Sequence, residues 1–203
     1  MMYRKFNVEK FGPVFGLAAI LTVLFFTLTA YFLYPGYDIF TQTLSKLGAR
    51  SGTGFLFNMG LLLSGILFIP FYYSIHQWIT HEKPWLATAR LLTGILGAVF
   101  LMAVGLFPDV PGMETIHFVV AFLFFFLTSI ATAILSYEIL KFDLLEPFYG
   151  WIGIACTIMT MIHGLVSIQD QVPITQKIAV IFYLVWAFLL ALRLWHSKKA
   201  DLT

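Results

Sequence analysis

The residues of this chain that could do chemistry are few, and they lie at the ends of long apolar runs. Ser45 is the candidate nucleophile. His117 or His163 would take its proton, and Asp38 or Asp109 would orient the imidazole. We take Ser45, His117 and Asp109 as the catalytic set. Asp109 and His117 share residues 105–117, a stretch with two acids and two prolines but no lysine or arginine. A short turn between buried helices does not need such residues, so we predict a functional site here.

The same side chains suggest other kinds of site. Zinc prefers imidazole nitrogen and carboxylate oxygen, so His117, His163 and Asp109 form a candidate zinc site, although the chain has no HxxxH or HxxE spacing. A haem held between His117 and His163 is a further option. Ligand binding without a reaction would use polar residues near the same connections, namely Asp38, Asn58, His163 and Asp170.

The elements that must position these residues follow from the composition. The chain is 60% hydrophobic and 11% charged, whereas a soluble domain carries about 25% charged residues. So little charge cannot cover a soluble surface, and we predict an all-α fold with six membrane-spanning helices in one integral membrane domain, residues 1–203. The apolar runs predict spans at about 14–34, 55–78, 85–107, 115–140, 148–168 and 175–195.

The orientation in the membrane follows from the distribution of lysine and arginine. Nine of the twelve basic residues, with Arg90 among them, fall at the two termini and the even-numbered connections, and only Lys46, Arg50 and Lys177 fall opposite. The excess marks the cytoplasmic side, so we expect cytoplasmic N and C termini in a multi-pass protein of the cell membrane. Connections 38–54 and 108–117 then face outward. The scattered basic residues and the net charge of +2 argue against nucleic-acid binding.

The spans themselves carry packing signals rather than a pathway for ions. No lysine, arginine, aspartate or glutamate lies in the middle of a predicted span, which argues against an ion-coupled transporter or a channel with a charged filter. Small residues recur on two spans, at Gly60, Ser64 and Gly65 and at Gly94, Gly97 and Gly105. Such faces let helices approach closely, so a homo-oligomer joined by glycine-rich faces is a candidate assembly.

Three stretches together resemble the prokaryotic membrane family called domain of unknown function 998. They are Ser45-Lys46-Leu47-Gly48-Ala49, then Phe57-Asn58-Met59-Gly60-Leu61 with Gly65, and Gly105-Leu106-Phe107-Pro108-Asp109 with His117. The resemblance implies about six spans and a layout similar to the Frag/DRAM/Sfk group of lipid-associated membrane proteins, but no activity. Its family-like positions are Ser45, Gly48, Asn58, Pro108, Asp109 and His117. Members often have an acid after the serine, where this chain has Lys46.

These observations favour an outward-facing polar pocket that binds a lipid headgroup or another small amphiphile, with membrane lipids as partners. The alternative is a lipid hydrolase or transferase within the membrane. It would use Ser45, His117 and Asp109 with His163, or a divalent metal such as zinc. A third class is a structural or assembly protein, in which the glycine faces matter and the polar residues only cap helices.

Overall fold

A computed structural model describes residues 8–79, 83–169 and 172–200, and throughout these ranges the regular structure is helical. Six helices are long and apolar enough to cross a membrane, which confirms the predicted all-α fold with six spans. A short seventh helix lies in the connection after the first span. The helices are α1 Val8–Phe32, α2 Ser45–Ala49, α3 Gly54–Trp78, α4 Pro84–Leu106, α5 Glu114–Phe142, α6 Pro147–Gln169 and α7 Pro173–Ala200.

Proline marks the beginning of three of the spans. Pro84, Pro147 and Pro173 are the first residues of α4, α6 and α7. The first N–H groups of a helix have no intrahelical acceptor, so a residue without an N–H loses nothing there. These prolines therefore fix the starts of α4, α6 and α7, which lie one or two residues before the predicted starts at 85, 148 and 175.

The six spans are arranged in a ring. Each span packs on the next one along the chain, and α7 packs back against α1. Aromatic side chains fill the centre, where the hydroxyls of Tyr72 on α3 and Tyr183 on α7 lie 2.7 Å apart. Phe68 and Trp186 pack against the same Tyr183 ring. Because the centre is filled, any groove that reaches the bundle must open between neighbouring helices.

The glycines predicted to allow close packing do so within one chain. A Cβ on Gly60 would fall 2.5 Å from Phe26 Cβ on α1, and one on Gly94 would fall 2.4 Å from the Tyr72 ring on α3. Gly97 lies as tightly against Thr128 of α5. These faces are buried between helices of the same chain, so they are not free to join two copies, and a homo-oligomer stays a prediction.

The two ends of the bundle differ in their polar side chains. The site end, as we call it, carries α2 and the loop 107–113, whereas the terminal end carries the start of α1 and the end of α7. At the terminal end Arg90 forms a buried ion pair with Glu138 and donates from Nη2 to Ile79 O at 3.1 Å. The sequence assignment of Arg90 to a membrane connection was therefore wrong, because it lies inside α4. This leaves eight basic residues against three.

Candidate functional site

The connection between α1 and α3 is ordered by side chains that reach its backbone carbonyls. The Tyr37 hydroxyl lies 3.2 Å from Gln42 O and 3.1 Å from Thr43 O and donates to this pair of carbonyls. Lys177 of α7 donates from Nζ to Gln42 O at 2.5 Å. Burial, the largest cause, raises the pKa of Tyr37 to about 12, so this hydroxyl keeps its proton and remains a donor.

Helix α2 is held from two sides. Leu44 N–H donates to Gln176 Oε1 of α7 at 2.7 Å, and Asn58 Nδ2 of α3 donates to Gly48 O at 3.1 Å. Gly48 must lack a side chain, because a Cβ there would fall 2.2 Å from Asn58 Oδ1. With its start and its end both held, α2 places its first residue, Ser45, at a fixed position over α5.

The loop between α4 and α5 supplies a free carbonyl group. Pro108 disfavours helical geometry in the residue before it, so α4 ends at Leu106, and Phe107 has φ −117° and ψ 80°. The Phe107 carbonyl then points out of the helical hydrogen-bond ladder. Gly112 turns the chain with φ +88°, and its N–H donates to Glu114 Oε2 at 2.8 Å. This compact loop brings the first turn of α5 back against Phe107.

Ser45 and His117 meet where α2 lies over α5. His117 Nδ1 lies 2.7 Å from Phe107 O, and His117 Nε2 lies 2.9 Å from Ser45 Oγ. A carbonyl oxygen only accepts, so Nδ1 carries the ring proton, and in the neutral ring Nε2 accepts the hydroxyl proton of Ser45. Each of the two residues is only 8% exposed. The predicted contact between serine and imidazole is therefore present and has a defined direction.

Asp109 does not take the place that the sequence analysis gave it. The Nδ1 position, where an orienting carboxylate would bond, is occupied by Phe107 O. Asp109 instead pairs with Lys46, whose Nζ lies 2.7 Å from Asp109 Oδ2. The physical reason is local. Lys46 follows Ser45 on α2, faces the same loop, and draws the carboxylate toward itself.

A cleft of about 370 Å³ runs from this pair along the surface between α5 and α6. Its polar end is lined by Ser45, His117, Asp109 and Glu114. The remaining walls are largely apolar, and one rim is a row of stacked phenyl rings on α5. In that row Phe118 and Phe122 have centroids 6.5 Å apart, and Phe122 and Phe126 5.8 Å apart. Three hydroxyls on the walls, those of Ser129, Thr157 and Thr160, each donate to a carbonyl of their own helix.

His163 lines the same cleft on α6 but is tied to its neighbours. Its Nδ1 lies 3.1 Å from Thr175 Oγ1 and 3.1 Å from Ser167 Oγ. The Thr175 hydroxyl also lies 2.8 Å from Val172 O, to which it can donate. The ring edge packs on Phe125, with centroids 4.8 Å apart. The arrangement ties α6 to α7.

Two other predicted ligand-binding residues, Asp38 and Asn58, are not among the residues that line the cleft. Asp38 is in the loop before α2, where Oδ1 accepts from Phe40 N–H and Oδ2 from the Thr41 hydroxyl, each at 2.8 Å. The bond from Phe40 N–H is the main cause that lowers the pKa of Asp38. Asn58 holds α2 and is not among the cleft-lining residues. Asp170 lies outside the described residues.

The described part of the chain holds no set of side chains placed to bind a metal ion. Across residues 8–79, 83–169 and 172–200, no group of three His, Cys, Asp or Glu side chains is placed to hold a metal ion. This includes the predicted set of His117, His163 and Asp109. Both ring nitrogens of His117 are already hydrogen-bonded, so zinc or haem iron would have to displace Ser45 or Phe107 O.

Sequence reasoning missed the groups that position the pair. Phe107 acts through its backbone carbonyl, which no side-chain pattern marks, although Pro108 signals the end of the helix. Gln176 contacts α2 from α7, 132 residues away in sequence. Lys177 likewise contacts the loop before α2 from 135 residues away, and Tyr37 holds the same loop from within it.

Comparison with known proteins identifies a family. No curated protein and no solved structure was found to match the chain. Residues 17–193 match the sequence profile of a family described as "Protein of unknown function (DUF998)". The matched range contains α2, the loop 107–113 and both walls of the cleft. The chain, a multispanning membrane protein, therefore belongs to the DUF998 family.

Proposed function

We propose that the cleft between α5 and α6 binds an amphiphile, with its polar group at Ser45 and His117 and its hydrocarbon chain along the phenyl row of α5. The observation that carries the proposal is the division of one cavity into a polar end and a long apolar body. A ligand with the same division, such as a membrane lipid, satisfies both parts.

The length of the cleft suits a hydrocarbon chain. From His117 to Ala133, both of which line the cleft, α5 rises about 24 Å at roughly 1.5 Å per residue. Half of a hydrocarbon core of about 30 Å is roughly 15 Å. The cleft can therefore take the whole chain of a lipid of one leaflet. The rim residues Phe126 and Met161 are 47% and 55% exposed, so the cleft is open to the bilayer at its side.

The orientation of the protein in the membrane determines from which leaflet the ligand would come. The excess of basic residues at the terminal end favours a cytoplasmic location for that end. The site end then faces outward, and the ligand comes from the outer leaflet of the cell membrane. Glu114 and Asp109 at the mouth lie at the depth of lipid headgroups in this arrangement.

A single glycine allows the proposal to be tested without disturbing the fold. Gly164 lines the cleft, and a Cβ placed on it would meet no other atom within 4 Å. Gly164→Leu therefore fills the cleft, and because leucine is the better helix former we expect the unfolding temperature to hold or rise. Val99→Leu is the matched control, since Val99 is 42% exposed on the lipid-facing surface of α4 and lies outside the cleft.

The measurement is crosslinking by a lysophospholipid that carries a photoreactive diazirine in its chain. In the wild-type protein and in Val99→Leu we expect adducts on peptides of α5 and α6. In Gly164→Leu we expect at least a tenfold loss of these adducts. Equal labelling of Gly164→Leu and wild type would show that the cleft is not the binding site.

A further inference from the structure

We infer that Ser45 is a nucleophile, activated by His117, that takes the acyl group from an ester-linked amphiphile bound in the cleft. This inference rests on the binding function proposed above and adds a reaction to it. It requires that the serine hydroxyl donate to a nitrogen that can accept a proton, and that both groups face the space where the ester would lie. Ser45 and His117 meet both requirements.

A backbone carbonyl holds the His117 imidazole in the tautomer whose Nε2 can accept a proton. In a serine–histidine–aspartate triad a carboxylate accepts the Nδ1 proton and fixes the tautomer. Here Phe107 O accepts that proton at 2.7 Å, so His117 Nε2 is available to Ser45. A carbonyl fixes the ring and its tautomer as a carboxylate does, but it stabilises the imidazolium less because it carries only a partial charge. General-base assistance of this kind is worth about 10²–10⁴ in rate.

A second serine–histidine contact in the cleft differs in its surroundings. Ser167 Oγ lies 3.1 Å from His163 Nδ1. The same nitrogen lies 3.1 Å from Thr175 Oγ1, so it is shared between two hydroxyls. At His117 one nitrogen is held by a carbonyl, and the other contacts the Ser45 hydroxyl alone among the hydrogen bonds found. Of the two contacts, the one at Ser45 therefore has its tautomer set by a backbone group.

The reaction balances without any further cofactor. Ser45 Oγ attacks the ester carbonyl carbon and forms a C–O bond while His117 Nε2 takes the hydroxyl proton. The tetrahedral intermediate then breaks the bond to the alcohol oxygen, and Nε2–H gives its proton to that oxygen as the alcohol leaves. A water molecule, or the hydroxyl of a second amphiphile, attacks the acyl group on Ser45 in the reverse sequence. The serine is regenerated, and the products are a carboxylic acid or a new ester.

Gln176 is suited to stabilise the developing oxyanion. It lines the cleft, and its Oε1 is fixed by Leu44 N–H at 2.7 Å. The NH₂ group of the same carboxamide is then the part that can donate to a ligand. Carboxamide donors stabilise oxyanions in acyl transfer, typically by about 10²–10³ in rate. The residue that helps to hold α2 thus also offers a donor to the ester carbonyl.

The test uses the full chain in lipid nanodiscs and two fluorophosphonates, which phosphonylate activated serines. One probe has a short alkyl group and the other a long alkyl chain. We expect the wild-type protein to gain one phosphonyl group on the peptide that contains Ser45. Ser45→Ala and His117→Gln should lose at least 100-fold in labelling rate. Ser74→Ala is the matched control, because Ser74 is buried in α3 away from the cleft, and it should label as wild type does.

Failure of the reaction and failure of binding give different results. If wild type is crosslinked by the diazirine lysophospholipid but neither fluorophosphonate labels Ser45, the nucleophile is refuted and the binding function stands. If the short probe labels Ser45 while the lysophospholipid does not crosslink, the binding function fails. Gly164→Leu should lose labelling by the long probe and keep labelling by the short one. Labelling of folded Ser45→Ala at the wild-type rate would also overturn the inference.

Discussion

Two buried polar pairs at opposite ends of the bundle are built alike. At the site end His117 contacts Ser45 and donates to Phe107 O, the carbonyl that follows α4. At the terminal end Arg90 contacts Glu138 and donates to Ile79 O, the carbonyl that follows α3. In each pair one side chain, His117 or Arg90, contacts a side chain on another helix. The same side chain also donates to the carbonyl at the end of the span that precedes its own helix.

The two pairs differ in charge and in what surrounds them. The side chains of Arg90 and Glu138 are 2% and 0% exposed, and neither is among the residues that line the α5–α6 cleft. Ser45 and His117 form their contact on the cleft wall. Opposite charges that are fully desolvated need each other, whereas a hydroxyl and an imidazole can exchange partners with a ligand. The ion pair is therefore suited to holding the fold, and the contact between Ser45 and His117 is suited to the ligand proposed above.

The largest effect should come from breaking the ion pair. Glu138→Leu leaves the Arg90 charge buried without its carboxylate partner, which typically costs about 3–5 kcal/mol in the free energy of unfolding. The double variant Arg90→Met/Glu138→Leu removes both charges and should recover most of that loss. Thermal unfolding of the purified variants in detergent measures both. A double variant as unstable as Glu138→Leu would contradict the idea that an unpaired charge causes the loss.

The architecture was predictable from the sequence because lipid exposure imposes a simple rule on each span. A helix that crosses about 30 Å of hydrocarbon must be apolar along its length, and that pattern is local. The contact between Ser45 and His117 was predictable in part for the same reason, since polar residues at span ends are conspicuous. The starts of α4, α6 and α7 lie close to the predicted ones because Pro84, Pro147 and Pro173 are local signals too.

The partners were not predictable because they depend on contacts between distant helices. Arg90 and Glu138 are 48 residues apart, and nothing near either residue indicates the other. The choice of Phe107 O over the Asp109 carboxylate depends on the path of one short loop. The sequence shows which polar groups lie at the site end, but which of them bond to one another depends on their placement in three dimensions.

A smaller effect should follow loss of the Asn58 contact. This change tests the placement of α2 and leaves the Ser45 and His117 side chains intact. Asn58→Ala removes the donor to Gly48 O and so releases one end of α2 without touching Ser45. We expect a cost of about 1 kcal/mol in the free energy of unfolding, and roughly a tenfold slower reaction of Ser45 with the short fluorophosphonate. Thermal unfolding and labelling rates are measured on the same preparation. An unchanged labelling rate would mean that α2 keeps its place without Asn58.

The smallest effect is expected at the pair of Lys46 and Asp109, and it decides which group orients the imidazole. If the Asp109 carboxylate did so, Asp109→Asn would resemble loss of a triad aspartate and slow the reaction of Ser45 about 10⁴-fold. Because Phe107 O occupies Nδ1, we expect a decrease below about tenfold in the fluorophosphonate labelling rate. The Lys46 side chain is 44% exposed, so the broken pair should cost only about 0–1 kcal/mol in the free energy of unfolding. A loss of several thousandfold in labelling, with thermal stability kept, would return Asp109 to the catalytic role and remove Phe107 from it.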